Sequence, residues 1–149
     1  MNARYVHTNL VARDFERLAT FFERVFGCTR VPPERDLSGP AIDEATGLAH
    51  ARIRGLHLRL PGWGASGPTL EIYEYSPFCE SPSAAVNRPG FGHIAFMVDD
   101  VHAARKAVFD AGGGEVGKVV ELHVPGAGSV TFAYLTDPEG NPVEVQHWA

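Results

Sequence analysis

The chain has 149 residues, and its shares of hydrophobic residues (44%) and charged residues (21%) are those of an ordinary globular protein, which excludes a disordered chain and a coiled coil. It carries 13 lysines and arginines against 18 aspartates and glutamates, a formal net charge of -5. This acidic balance argues against nucleic acid or an anionic membrane surface as a partner. We therefore expect the partner to be a small molecule.

The start of the chain and the two cysteines bear on where the protein works. The charged segment MNARYVHTNLVARD lacks the apolar run of a signal peptide. Cys28 and Cys79 lie in unlike contexts and lack the CxxC spacing of a thiolate metal site, so we expect two free thiols. Both observations favour a cytoplasmic protein.

The first half of the chain opens with a predicted strand and a predicted helix. Residues 5–11 alternate apolar and polar side chains in the manner of a strand. Asp14 then occupies an N-cap position, and Leu18 and Phe22 share one face of a helix that Gly27 closes. The order so far is strand, then helix.

A segment rich in proline and glycine separates this helix from two further strands. We expect residues 32–48 to form a long loop, which is either a lid at the mouth of a binding site or a plain surface connection. Strands are predicted at 51–60 and 69–75, with the turn PGWGASGP between them.

The second half repeats this order of elements. After a polar linker at 78–90, Asp99 or Asp100 caps a helix at 101–111, which ends at the glycines 112–114. Strands are predicted at 92–98, 118–126, 129–137 and 141–148.

The repetition predicts an α+β fold made of two βαβββ modules. Module one covers about residues 4–77 and module two about residues 90–149. Each module is too small to bury its own apolar face, whereas two modules side by side can share a core. We therefore expect a single domain over residues 1–149.

Four residues with metal-binding side chains occupy matching places in the two modules. His7 and His93 lie in the first strand of each module, and Glu71 and Glu144 lie in the last. Each glutamate interrupts an apolar run, and a carboxylate on a covered sheet face must be paired, hydrogen-bonded or bound to a cation.

These four residues suggest one shared divalent cation. A lone histidine in a strand is more often a core or surface residue than a ligand, and a lone glutamate usually faces solvent. The coincidence of His7, Glu71, His93 and Glu144 favours ligation instead. Imidazole nitrogen and carboxylate oxygen suit Zn, Ni, Co, Mn or Fe, and four ligands leave positions open for substrate on a six-coordinate ion.

The segments YVHTNLVARD, LEIYEY, GHIAFMVDD and DPEGNPVEVQHW resemble the signature segments of the vicinal oxygen chelate superfamily. This superfamily includes glyoxalase I, methylmalonyl-CoA epimerase, extradiol dioxygenases and fosfomycin or bleomycin resistance proteins. The resemblance covers nearly the whole chain, and it places His7, Glu71, His93 and Glu144 on the metal-ligand positions. It implies paired modules forming a cup-shaped mixed sheet with helices outside, a substrate that chelates the metal, and a homodimer.

A divalent metal beside two glutamates favours lyase or isomerase chemistry of the glyoxalase or epimerase type. The ion would stabilise negative charge while a proton leaves the carbon next to a chelated carbonyl. Glu71 or Glu144 would act as the base. One alternative is an extradiol-type dioxygenase, which resembles this chain less because its pattern has histidine where Glu71 stands. The other is a resistance protein that binds a drug without turnover.

Other polar residues have weaker claims to the site. Asn9, Tyr73 and Gln146 each lie two positions from a candidate ligand, so strand alternation places them on the ligand face as pocket residues. The remaining histidines have no counterpart in the other module, which favours a place on the surface or beside the site for His50, His57, His102, His123 and His147.

Overall fold

The computed structural model describes residues 1, 3–80, 82 and 85–149. The chain divides into two compact units, Met1–Ser81 and Pro82–Ala149. Each unit has a mixed sheet, and the described residues form three helices in all. The predicted α+β class is therefore confirmed, with the order strand, helix, strands occurring twice. The predicted linker at 78–90 includes residues 81, 83 and 84, which lie outside the described residues.

Unit one contains a four-stranded sheet and two helices. The strands are β1 (His7–Val11), β2 (Thr29–Ser38), β3 (Arg52–Arg59) and β4 (Thr69–Ser76), and the helices are α1 (Phe15–Phe26) and α2 (Pro40–Thr46). The strand order is β1-β4-β3-β2. β1 runs parallel to β4, and the other neighbours are antiparallel.

Helix α1 covers one face of this sheet. Asp14 caps the helix by accepting the backbone N–H of Arg17 at 2.9 Å, and Gly27 ends it in the left-handed conformation that glycine adopts without a steric cost. Phe22 and the other apolar residues of α1 pack on β3 and β4, where Leu58 and Ile72 are fully buried. Because side chains alternate along a strand, the residues next to Leu58 and Ile72 in β3 and β4 point to the opposite face of the sheet. That face carries the polar residues of the site.

The prediction of a loop at 32–48 is wrong, because most of these residues lie in a strand and a helix. β2 continues to Ser38, and α2 follows directly. The pairing of β2 with β3 shifts register between Val31 and Arg35, at two prolines that have no backbone N–H to donate. The prolines made this segment look like a loop, but the strand resumes beyond them.

Unit two repeats the plan with a five-stranded sheet. Its elements are β5 (Ile94–Met97), α3 (Val101–Asp110), β6 (Gly114–Glu115), β7 (Val120–Val124), β8 (Gly128–Thr136) and β9 (Pro142–Trp148). The order is β5-β9-β8-β6, and β7 also pairs with β8. β5 is parallel to β9, as β1 is to β4. The short strand β6 was not predicted.

The caps and turns of unit two follow the sequence signals. Asp100, not Asp99, caps α3, accepting the N–H groups of His102 and Ala103 at 2.8 and 3.0 Å. In the turn between β8 and β9, the buried Asp137 accepts the N–H groups of Glu139 and Asn141, both at 2.9 Å. This turn sets the start of β9, the strand that carries Glu144.

Two further findings concern the cysteines and the lengths of the helices. Both cysteines are free, with Cys28 buried and Cys79 exposed. Within the described residues, no helix is both long enough and apolar enough to cross a membrane.

Candidate metal centre

Three strands of unit one bring His7, His57 and Glu71 together. Glu71 on β4 lies directly across from His57 on β3, and β1 runs along the other side of β4 with His7 at its first position. His57 Nε2 lies 3.2 Å from Glu71 Oε1, and His7 Nε2 lies 3.6 Å from Glu71 Oε2. The carboxylate therefore stands between two imidazole rings.

The donor set of this cluster fits a divalent cation. Each of His7, His57 and Glu71 offers one ligand atom, and the three atoms lie within 4.8 Å of one another. Two atoms that each bind one ion at about 2.1 Å are roughly 3 to 4 Å apart, and the distances from the Glu71 carboxylate to the two imidazoles, 3.2 and 3.6 Å, lie in that range. Neutral imidazole and carboxylate together suit zinc and the other first-row transition metals.

Neighbouring side chains orient the cluster. Asn9 Nδ2 donates to Glu71 Oε2 at 3.0 Å, His57 Nδ1 lies 3.0 Å from Thr69 Oγ1, and Tyr73 Oη lies 3.5 Å from His57 Nε2. Such contacts fix the rotation of a ligand ring or carboxylate before the metal arrives.

Burial tunes the protonation of two of these groups. It is the main reason that the pKa of His57 is lowered, although the charge of Glu71 opposes it. A lowered pKa favours the neutral imidazole, which is the form that binds metal. Burial, helped by hydrogen bonding to Glu71, raises the pKa of Tyr73 to about 12, so its phenol stays protonated and can donate.

Unit two carries a similar but smaller group. His93 Nε2 lies 3.0 Å from Glu144 Oε2, and His93 directly precedes β5 rather than lying within it. Tyr134 on β8 lies directly across from Glu144, with its ring centroid 5.0 Å from that of His93. Burial, followed by the charge of Glu144, raises the pKa of Tyr134.

The structure thus pairs the four predicted ligands within their own units, His7 with Glu71 and His93 with Glu144. Two of the predicted pocket residues, Asn9 and Tyr73, contact members of the unit-one cluster. Gln146, in contrast, accepts the indole N–H of Trp148 at 3.0 Å.

The sequence pattern favours a place on the surface or beside the site for His57, and the structure sets it in the cluster with His7 and Glu71. The side chain of His57 is only 16% exposed. The signal in the sequence that could have identified His57 is the predicted turn between β3 and β4, because antiparallel pairing about this turn brings His57 across from Glu71. The four remaining histidines are exposed, as predicted: His50, His102, His123 and His147.

Comparison with known proteins identifies the family. The sequence matches the model of the Glyoxalase/Bleomycin resistance protein/Dioxygenase superfamily over residues 4–145, so the chain belongs to this superfamily. The resemblance seen in the sequence segments is confirmed. A search of curated proteins gave no match.

Solved structures share the fold at low sequence identity. A glyoxalase family protein from Bacillus cereus has a TM-score of 0.84 and 18% identity, over 99% of this chain and 95% of that chain. A glyoxalase/bleomycin resistance protein/dioxygenase family enzyme from Burkholderia phytofirmans has a TM-score of 0.64 and 17% identity, over 99% and 100%. A fosfomycin resistance protein from Listeria monocytogenes, complexed with Mn(II) and sulfate, has a TM-score of 0.55 and 12% identity, over 100% and 95%.

Proposed function

We propose that the protein is a divalent-metal-dependent lyase or isomerase, of the glyoxalase or epimerase type, that moves a proton next to a carbonyl group of a small molecule. The observation that carries this proposal is the convergence of His7, His57 and Glu71, whose ligand atoms all lie within 4.8 Å of one another. Membership of a superfamily that contains enzymes supports it.

The proposed ligands are His7, Glu71, His93 and Glu144, with His57 as an addition in unit one. Zn, Ni, Co, Mn and Fe all accept such nitrogen and oxygen donors. The Mn(II) in the Listeria fosfomycin resistance protein supports a divalent ion in this fold. When bound, the ion would act as a Lewis acid that stabilises negative charge on a substrate oxygen.

The proposed bases are Glu71 and Glu144. Their side chains are 15% and 14% exposed, so each carboxylate is mostly covered but still touches solvent, with which a proton taken from substrate can exchange. The amide of Asn9 holds one oxygen of Glu71, which leaves the other directed towards His57. The protonated phenol of Tyr73 lies on the same face and can donate to a substrate oxygen as charge develops there.

The other parts of the proposal follow from the family resemblance and the composition. We propose that the substrate is a small molecule and that the chain works in the cytoplasm as a homodimer. Light scattering on the purified protein measures the subunit number directly.

Turnover in heavy water tests the proposed reaction. The metal-loaded protein is offered hemithioacetals and short acyl-CoA epimers, and deuterium uptake is followed by NMR at the carbon next to the carbonyl. Exchange that requires a divalent metal is the expected result. A working reaction without exchange would refute proton transfer at that carbon.

A second candidate function is an extradiol-type dioxygenase. Two imidazoles and one carboxylate, the set formed by His7, His57 and Glu71, are also the ligands of non-haem iron oxygenases. Activity found only with Fe(II), with consumption of oxygen and a catechol, would favour this candidate. Tight binding of a drug with no turnover on any substrate would point to a resistance protein.

A further inference from the structure

We propose that a pocket in unit one, beside His57, binds an oxyanion through Arg35 and Arg59, and that this oxyanion is a carboxylate or phosphate group of the substrate. The pocket has a volume of about 320 Å³, and its lining includes Arg4, Arg35, His57, Arg59 and Thr69. Its link to the substrate rests on the proposed function, whereas its affinity for anions does not.

The sheet register places both arginines on the same face as the metal cluster. Arg59 follows His57 by two residues on β3, so their side chains project from the same face. Arg35 on β2 lies across from Gly55, which is two residues before His57 on that strand. Directly paired residues share a face, so the guanidinium groups and His57 all border one pocket.

Neither arginine has an acidic partner among the described residues. Arg35 donates from Nη1 to the carbonyl oxygen of Pro33, and Arg59 donates from Nη1 to that of Gly67. A guanidinium has five N–H donors, so most of them stay available. Both residues are half-buried, where an unpaired charge is more costly than at the surface.

Three other arginines of unit one are paired with carboxylates. Arg30 is held by carboxylates of α1, Arg52 by Asp36 at 2.6 Å, and Arg54 by Glu74 at 2.7 Å. Against a net charge of -5, two half-buried arginines without such partners form a local positive site. A pocket with one sign of charge attracts and retains ligands of the opposite sign.

The chemistry of the pocket selects the ligand class. The planar guanidinium group binds carboxylates and phosphates through two parallel hydrogen bonds. Arg35, Arg59 and His57 line this one pocket, so both arginines lie beside the cluster. A substrate whose carbonyl reaches His57 would thus place an attached oxyanion against the arginines.

The test measures anion binding to the metal-free protein, so that it does not depend on catalysis. After chelation of metals, inorganic phosphate and acetate are titrated separately by NMR, and the two arms show which oxyanion is preferred. Saturable binding of at least one, weakened roughly tenfold or more in Arg35→Gln and Arg59→Gln, is the expected result, because each variant loses charged hydrogen bonds to the anion.

Two further variants sharpen the test. Arg52 lies on β3 like Arg59, but its guanidinium is already paired with Asp36. The variant Arg52→Gln should therefore leave the anion affinity unchanged. Arg59→Lys keeps the positive charge but loses the planar guanidinium group, so this variant should retain part of the anion affinity. No binding by the folded wild-type protein, or an equal loss in Arg52→Gln, would overturn the inference. Cobalt affinity measured in parallel shows whether the metal proposal stands independently.

Discussion

His57 and Tyr134 occupy the same position relative to a glutamate in the two units. His57 lies directly across an antiparallel strand pair from Glu71, and Tyr134 lies directly across one from Glu144. Imidazole is a good neutral metal ligand, whereas a phenol whose pKa is raised stays protonated and binds metal poorly. Unit one therefore offers three donors where unit two offers a histidine and a glutamate.

Exchange of these two residues tests this difference. Replacement His57→Tyr gives unit one the side chains of unit two, and we expect its affinity for Co²⁺ to fall roughly tenfold or more, the range for changes at and around metal ligands. Tyr134→His is the matched variant and should not weaken binding. Absorption titration with Co²⁺ measures both. Equal affinity in wild type and His57→Tyr, with unchanged thermal stability, would remove His57 from the ligands.

The two glutamates should matter more for the reaction than an ordinary surface carboxylate. We expect Glu71→Gln or Glu144→Gln to slow deuterium exchange into substrate by about 10²–10⁴-fold, the usual value of general acid–base assistance. Glu121→Gln on the exposed strand β7 is the control and should exchange at the wild-type rate.

Metal content separates the two roles of these glutamates. A variant that keeps its metal but loses exchange has lost a base, and a variant that loses both has lost a ligand. Activity that survives the loss of both carboxylates would rule out the proposed mechanism. Stoichiometry of the wild type tests whether one ion per chain is bound, as the four-ligand prediction requires.

The two thiols should differ sharply in reactivity. Burial raises the pKa of Cys28 to about 12, so almost none of this thiol is ionised near pH 8, and the side chain is covered as well. Cys79 is exposed. Titration with a disulfide reagent should find one reactive thiol per folded chain and two after unfolding in urea, and Cys79→Ser should abolish the fast phase. Two fast thiols in the folded protein would contradict the burial of Cys28.

The N-cap of α3 should make stability depend on pH in acid. Hydrogen bonds from the backbone of α3 hold the pKa of Asp100 below its usual value of 3.8. A lowered pKa in the folded state means that the unfolded chain binds the proton first, so the ionised cap stabilises the fold above about pH 4. This contribution is lost as the pH falls through the lowered pKa.

Urea unfolding of wild type and Asp100→Asn at pH 7 and pH 3 measures this effect. Asparagine caps a helix without ionising, so the stability difference seen at pH 7 should shrink at pH 3. Asp14→Asn at the corresponding cap of α1 provides a comparison. A difference that is the same at both pH values would show that the charge of Asp100 contributes nothing.

Much of the fold and part of the site were predictable because the chain repeats itself. His7 and His93 match in residue type and in their position within each module, as do Glu71 and Glu144. The repeat therefore identified all four as candidate ligands. His57 has tyrosine as its counterpart, and a search for identical side chains therefore passed over it. Strand pairing across the sheet, which depends on exact register, was needed to bring it to Glu71.

The errors in the fold have local causes. Residues 32–48 contain prolines that suggest a loop, but pairing with β3 on both sides of them supports a strand. The two-residue strand β6 is too short to show any periodicity. Both strands form because they pair with distant strands of the sheet, and the local amino-acid composition does not show that pairing.

Gly55 is the residue of β3 that lies across from Tyr73. A Cβ atom at position 55 would come within 2.0 Å of the Ile72 carbonyl oxygen and 2.5 Å of the Tyr73 ring, so both the backbone of β4 and this ring require glycine here. The phenol near His57 therefore depends on Gly55, a residue with no side chain of its own in the site. Among relatives, chains that keep tyrosine at 73 should therefore also keep glycine at 55, whereas glycine at 55 alone does not mark this arrangement of the site.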